Sequence, residues 1–383
     1  MFLGINLVLK ISILGTVARD TFNFRRGLIL KLAASGHDVY VFCVDYTDES
    51  RQKMQALGAI PIDYKLSRAG LNPLADLATI WQLRKLFKKI KPDVVLSCFV
   101  KPSIYGSIAA RMAGVPRRFA MLEGLGFVFT DQPGGITGKQ KLLCKVQLFL
   151  YRLALPSIDT MIFLNPDDPV DLLDKNNLKA KRVEVLGGIG VDLAQFPRSE
   201  PPVQPVRFVF IARLLAEKGV FEYVAAARKI KAVHSQAEFL MLGGIDEANP
   251  GGLKQHELQV LLDEGIIIYP GYVSNVPEWI AGSSVFVLPS YREGVPRSTQ
   301  EAMAIGRAVI TTDVPGCRET VVDSVNGFLV PKWDVDALVD KMTYFIKNPE
   351  SIEIMGLESH KMAVDKFDAE KVNFRLMRIM GVS

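Results

Sequence analysis

The 383-residue sequence contains only four cysteines and four histidines. Cys43, Cys98, Cys144 and Cys317 stand far apart, with no CxxC pair and no Cys/His cluster. That spacing excludes a zinc ribbon or finger and a disulfide framework, and points to a reducing compartment. No run reaches the roughly 18 uncharged apolar residues of a membrane span. The apolar segment 2–15 is broken by Asn6 and Lys10 and lacks both the leading positive charge and the small-residue cleavage site of a signal peptide. The chain is expected to be soluble or peripheral, not integral. What is present is ordinary for a folded protein: 49% hydrophobic and 23% charged residues. Disorder and collagen-like repeats are excluded, and the length predicts two domains at roughly 100–200 residues each.

The net charge of +5 is unevenly spread. Residues 1–190 hold 26 Lys and Arg against 16 Asp and Glu, a net +10; residues 191–383 hold 20 against 25, a net −5. Basicity confined to one half suggests that this half alone meets an anionic partner: a nucleic acid, an anionic membrane or a phosphorylated substrate.

Short apolar runs alternate with helical patterns throughout. Strands are expected at 10–16, 37–44, 93–98, 160–164 and 182–186, with helices at 27–34, 74–89 and 105–113 between them. A proline-rich stretch, 198–205 (RSEPPVQP), reads as a linker. The rhythm then restarts with strands at 207–211, 238–242, 266–269, 285–288 and 308–311. This βαβα order predicts two doubly wound, mostly parallel α/β domains in tandem, with ligands at the carboxyl ends of the strands. The default site of two such sheets is the cleft between them.

The strongest chemical signal is 290–306, SYREGVPRSTQEAMAIG. It reads as a strand ending, a loop, and a helix with Pro296 at its first position. The free N–H groups at Arg297–Thr299 then make an anion site at a helix N-terminus, bracketed by Glu293 and Glu301. Carboxylates are poor phosphate ligands but good acceptors for sugar hydroxyls. The alternative is that both are solvated helix-start acids complementing the dipole. A second element, Arg213 with Lys218-Gly219 after the first strand of the second half, suits a diphosphate, although Lys218 alone also reads as a snorkelling surface cation. Gly243 permits close backbone approach to a ligand, and Tyr272-Val273 can lie along a nucleobase edge. Asp334-Val-Asp336 has the spacing of a DxD metal motif, yet it opens a helix and reads better as an N-cap.

The Glu293-x7-Glu301 spacing, Arg213 with Lys218-Gly219, and Gly188-Ile-Gly-Val-Asp192 resemble the retaining glycosyltransferase family four. The likeness runs from about Lys10 to the C-terminus. Segments 293–304 (EGVPRSTQEAMA) and 312–319 (TDVPGCRE) are similar to its bacterial branch acting on undecaprenyl-diphosphate-linked sugars. The resemblance implies a GT-B fold, two Rossmann-like domains facing each other across a cleft. It implies domains at 1–197 and 207–367 around a linker at 198–206, with a final helix, about 368–383, returning to the first domain. It further implies transfer of a sugar, an N-acetylhexosamine, from a UDP-sugar to a polyprenyl-diphosphate-linked saccharide. Arg213 and Lys218 would hold the donor diphosphate, Glu301 the ribose, Glu293 the transferred sugar, and the Gly15-Thr16 loop would face phosphates and acceptor. Many relatives carry a histidine where this chain has Met121-Leu-Glu123-Gly124; Glu123 either replaces it near the sugar or is a buried structural carboxylate. No cofactor or metal is expected, since Arg213, Lys218 and helix dipoles can stabilise the leaving diphosphate.

The basic excess gathers in 83–91 (LRKLFKKIK) and in 139–155 (KQKLLCKVQLFLYRLAL). The latter places Leu142, Val146, Phe149 and Leu153 on one stripe, with Lys139, Lys141 and Lys145 largely elsewhere. It reads either as a helix lying in an anionic bilayer interface or as an ordinary core-facing helix with a solvated basic face. Lys101, Tyr105 and Arg117-Arg118 are candidates for the acceptor's diphosphate. The expected location is the cytoplasmic face of a bacterial inner membrane. Two alternatives remain: a UDP-sugar 2-epimerase of similar fold, which needs no acceptor groove, and a nucleic-acid-binding protein. The latter would show stacking aromatics along its basic stripes and strong salt dependence, whereas these cations sit with apolar residues and the half carrying the phosphate site is acidic.

Overall fold

The computed structural model describes residues 8–67, 72–245 and 251–382; the reading of residues 2–7 lies outside them. The chain forms two compact units, neither contiguous in sequence. The first takes the chain up to Val128, Gly138–Leu186 and the chain from Asn373 on; the second takes Phe129–Thr137 and Gly187–Val372.

The first unit holds strands β1 (Lys10–Leu14), β2 (Asp38–Cys43), β3 (Ala59–Asp63), β4 (Val94–Cys98), β5 (Arg117–Leu122), β6 (Thr160–Phe163) and β7 (Val183–Val185). They form one sheet in the order β3-β2-β1-β4-β5-β6-β7, every pair parallel. Helices α1 (Ala18–Ala34), α2 (Asp48–Ala56), α3 (Pro73–Ile90), α4 (Val100–Ala113), α5 (Gly138–Ala154) and α6 (Asp167–Leu172) connect them. The second unit holds β8 (Arg207–Ile211), β9 (Glu238–Leu242), β10 (Ile268–Gly271), β11 (Val285–Leu288), β12 (Ala308–Thr312) and β13 (Gly327–Val330), again all parallel, in the order β10-β9-β8-β11-β12-β13. Its helices are α7 (Val220–Lys231), α8 (Gln255–Asp263), α9 (Val276–Ala281), α10 (Arg297–Ile305), α11 (Val335–Lys347) and α12 (Glu350–Met362). A last helix, α13 (Ala369–Met380), begins in the second unit and ends in the first.

Strands covered on both faces need unbroken apolar runs, so β4, β11 and β12 are buried along their whole length. Three strands went unread in the sequence for the converse reason. β3 (AIPID) is a partly exposed edge strand containing proline; β5 starts on two arginines; β13 is four residues long. Both arginines have partners within the protein: Arg118 pairs with Asp159 at 2.7 Å, and Arg117 donates to the Gly381 carbonyl at 3.0 Å.

Strand order reverses between β1 and β4 in one sheet and between β8 and β11 in the other. These switch points open a crevice at the carboxyl ends of the strands. The loops after β8 and β11 carry Arg213, Lys218 and Glu293, and Gly15-Thr16 follows β1.

The chain changes unit at Leu186/Gly187, ahead of the boundary at 197 expected from sequence. Arg307 explains part of this. Fully buried, it donates to the Ser199 carbonyl at 3.1 Å and to the Ser199 hydroxyl, so the proline-rich stretch starts pinned to the second unit. Burial and the neighbouring Arg198 charge hold the Arg307 guanidinium down at about 10. At the other end of the chain, Asn373 lies against Gly27, and Arg375 donates to the Leu186 carbonyl at 2.7 Å. Among the described residues, no helix is long and apolar enough to cross a membrane.

Candidate active site

In the second unit, β8 ends at Ile211 and the chain turns through Arg213, whose exposed side chain makes no ion pair or hydrogen bond among the described residues. A 3-10 turn, Ala216–Lys218, then leads to Gly219 at φ +77°, where any side chain would strike the Pro289 carbonyl. That close approach brings Lys218 onto the loop after β11. Its Nζ lies 2.5 Å from Glu293 Oε1, which also accepts from the Ser290 hydroxyl at 2.8 Å.

Helix α10 starts one residue later than expected. Pro296 is its N-cap, with an extended ψ of 126°, and Arg297 is the first helical residue. A cap keeps proline's fixed φ while its ψ remains free. The first α10 amide bonded back along the helix is Gln300 N, to the Pro296 carbonyl at 3.2 Å, so the amides of Arg297–Thr299 lack intrahelical partners. One turn in, Glu301 accepts from Arg297 Nε at 2.8 Å. Burial raises the Glu301 carboxyl above its ordinary value, and the Arg297 charge opposes that. The helix start is thus flanked by two carboxylates, each tied to a cation, while Arg213 is left unpaired.

Gln300 was not anticipated. It is fully buried, donates to the Val295 carbonyl at 3.1 Å and accepts from Gly190 N at 3.1 Å, locking the 188–192 segment onto the start of α10. Its only signal was its place inside the 290–306 motif. Gly243 has a backbone requirement for glycine: at φ +147° a Cβ would overlap the Ala212 carbonyl, so glycine is what lets β8 and β9 end side by side. Tyr272 and Val273 follow the edge strand β10 at the same end of the sheet, with Tyr272 mostly exposed. Asp334 caps α11, accepting from Ala337 N at 2.9 Å. Among the described residues, no group of three or more His, Cys, Asp or Glu is placed to hold a metal ion.

In the first unit, the Tyr64 hydroxyl donates to the Gly15 carbonyl at 2.6 Å, and Thr16 accepts from Val44 N at 2.9 Å, fixing the loop after β1. Glu123, just past β5, accepts from Arg25 Nη2 of α1; the two side chains are 6% and 5% exposed. Burial works against the Arg25 charge, but Glu123 and Cys98 hold its pKa above the ordinary value. Arg25 was missed because an arginine in an amphipathic helix gives no sign of facing inward. Lys101 and Tyr105 do not form an open patch. Lys101 Nζ donates to the Ser67 carbonyl at 2.6 Å and lies 3.4 Å from Asp76. Tyr105 is buried against the same carboxylate, and burial raises its hydroxyl pKa. Lys139, Lys141 and Lys145 are exposed on α5. So is the apolar stripe between them: Leu142, Phe149 and Leu153 are 60%, 56% and 53% exposed, while Gln140, Tyr151 and Ala154 turn inward. The core-facing reading of that stripe is wrong, because a polar and an aromatic residue occupy the inner face instead.

A family described as "Glycosyl transferase 4-like" matches residues 10–165, and one described as "Glycosyl transferases group 1" matches residues 192–362. The N,N'-diacetylbacillosaminyl-diphospho-undecaprenol alpha-1,3-N-acetylgalactosaminyltransferase of Campylobacter jejuni is 30% identical over 89% of this chain and 90% of its own. The chain belongs to this glycosyltransferase family. The enzyme is also 25% identical, over 79% of its length and 78% of the relative's, to the UDP-Gal:alpha-D-GlcNAc-diphosphoundecaprenol alpha-1,3-galactosyltransferase of Escherichia coli. Among solved structures, the transferase resembles sucrose-phosphate synthase from Thermosynechococcus elongatus (TM-score 0.78, 18% identity, 97% and 98% of the two chains). It also resembles Anabaena HepE in complex with UDP and glucose (TM-score 0.77, 15% identity, 98% and 100%). The two parallel-sheet α/β units are those of the GT-B fold.

Proposed function

We propose that the enzyme moves an N-acetylhexosamine, with retention, from a UDP-sugar to an undecaprenyl-diphosphate-linked saccharide in bacterial glycan assembly. The observation that carries this reading is the arrangement at the β8–β11 switch point: an Arg213 with no ion pair among the described residues, two Lys/Arg–Glu pairs and the first-turn amides of α10, which have no intrahelical partners, at one sheet end. Anionic phosphates suit cations and helix N-termini; sugar hydroxyls suit carboxylates. Arg213 and Lys218 take the diphosphate, with the amides at Val295, Arg297 and the following residues of α10. Glu301 accepts from the ribose hydroxyls and Glu293 from the transferred sugar. Tyr272 and Val273 border the base. Gly15, Thr16 and Glu123 serve the first unit's side of the reaction, where the acceptor is presented.

In the step itself, the bond from the anomeric carbon to the leaving diphosphate breaks and a bond to the acceptor hydroxyl oxygen forms on the same face. The acceptor's proton passes to the departing diphosphate. Arg213 and Lys218 stabilise the charge that develops there, so no metal is needed. The names of the Campylobacter and Escherichia relatives support a lipid-linked acceptor, and the exposed, lysine-flanked stripe of α5 supports peripheral attachment to an anionic cytoplasmic membrane face.

The test is incubation with UDP-N-acetylhexosamines, with and without a polyprenyl-diphosphate sugar, following UDP release and lipid mass. The reading expects UDP release coupled to a lipid one sugar heavier. Conversion of the UDP-sugar without acceptor would mean an epimerase instead, and no turnover with any donor would overturn the enzyme assignment of this site.

A further inference from the structure

The excess positive charge of the first unit is concentrated in one layer of helices. α4 packs against both α3 and α5. Neither α4 nor α5 contains an acidic residue, and the single acid of α3, Asp76, is buried beside Lys101. α2, by contrast, exposes Asp48 and Glu49. Within this layer, whose one helical acid is buried, α3 has an outward stripe of its own. Leu74, Leu77 and Trp81, at positions i, i+3 and i+7, are 80%, 54% and 50% exposed. The Arg84 guanidinium lies 5.1 Å from the Trp81 ring centre, and Lys85, Lys88 and Lys89 extend the helix as exposed cations.

We propose that α3 is a second membrane-docking edge. Leu74, Leu77 and Trp81 enter the headgroup–acyl boundary of an anionic bilayer while the lysines that follow meet its phosphates. The inference rests on the lipid-linked acceptor of the proposed function and adds to it that the enzyme lies on the bilayer along two helices, which fixes its rotation as well as its attachment. Charge selects this occupant. A second copy of the chain, meeting the patch symmetrically, would set lysines against lysines. A nucleic acid would leave two leucines facing phosphates. An anionic bilayer takes the aliphatic side chains, a tryptophan at headgroup depth and the cations together.

The experiment is vesicle flotation, comparing phosphatidylglycerol/phosphatidylethanolamine with phosphatidylcholine, together with tryptophan quenching by brominated acyl chains. All changes lie on exposed positions of α3. With about 1 kcal/mol of attraction per basic residue, Lys85→Ala/Lys88→Ala/Lys89→Ala should lower partitioning to the anionic vesicles by roughly 100-fold. Trp81→Ser should lower it on the order of tenfold, and Trp81→Phe should remove the bromine quenching. Transfer to a short-chain, water-soluble acceptor should be unchanged in all three. If the α3 variants float like the wild type while Leu142→Ser/Phe149→Ser does not, the second edge is refuted and attachment rests on α5 alone. An oligonucleotide or a self-association that the α3 variants lose, with vesicle binding intact, refutes it equally. Absence of transfer to the soluble acceptor in the wild type would instead sink the proposed function, whatever the vesicles show.

Discussion

The two sheets end in different kinds of charge. At the carboxyl edge of the second unit the ion pairs are partly open: Lys218 and Glu293 keep side-chain exposures of 20% and 12%, and Arg213 has no partner among the described residues. At the edge of the first unit Arg25 and Glu123 are closed in together. A partly exposed pair is worth little by itself and is readily rearranged by a ligand. A buried pair is costly to break, because removal of one partner strands the other charge. One edge is therefore built to exchange partners, the other to stay as it is.

The largest expected effect tests the closed edge. Glu123→Ala should destabilise the fold by about 3–5 kcal/mol, and Arg25→Met/Glu123→Leu together should recover most of that. Urea unfolding of the three proteins measures it; a loss below about 1 kcal/mol in Glu123→Ala would erase the contrast. At the open edge, Lys218→Ala should leave the unfolding midpoint nearly unchanged yet weaken UDP binding roughly 10–100-fold, the range for hydrogen bonds to charged groups. Calorimetric titration with UDP decides, and unchanged affinity would remove Lys218 from the donor site.

A smaller effect probes Glu301, which lies between the two extremes. Its carboxyl is raised above the ordinary 4.5 by burial. In the window from that value up to the raised one, the folded state holds more protons than the unfolded, so stability falls as pH rises. Glu301→Gln should remove this slope, and equal slopes in the two proteins would show that Arg297 cancels the burial. The smallest expected effect is none at all: chelation with EDTA should leave the transfer rate unchanged, and a loss restored by a divalent cation would mean that the cations at the open edge do not suffice.

This contrast was only half legible beforehand. The open edge is assembled from two short segments, 213–218 and 293–301, each at a strand end that follows an unmistakable apolar run such as VFVL, so Arg213, Lys218, Glu293 and Glu301 could be named as candidates from spacing and chemistry within each segment. The closed edge depends on a contact between residues 25 and 123, and no local pattern distinguishes an arginine pointing inward from one pointing to water. Gln300 was hidden in the same way, its two partners lying on separate segments. The stripe on α5 was visible, but not its direction. Helical periodicity shows that apolar residues share a face, not whether that face meets a core. The strands that escaped notice, β3, β5 and β13, are those where a proline, two charges or brevity mask the apolar run.

The discontinuity of the two units bears on how the protein is made. The sheet of the first unit is complete on the ribosome by Val185, yet the residues that lie against Gly27 and accept from Arg117 come only from Asn373 onward. The second unit likewise draws on Phe129–Thr137, synthesised long before its own first strand. Residues translated long after its sheet thus finish the first unit begun, and a cut at Leu186/Gly187 would yield two halves that each lack a piece held by the other.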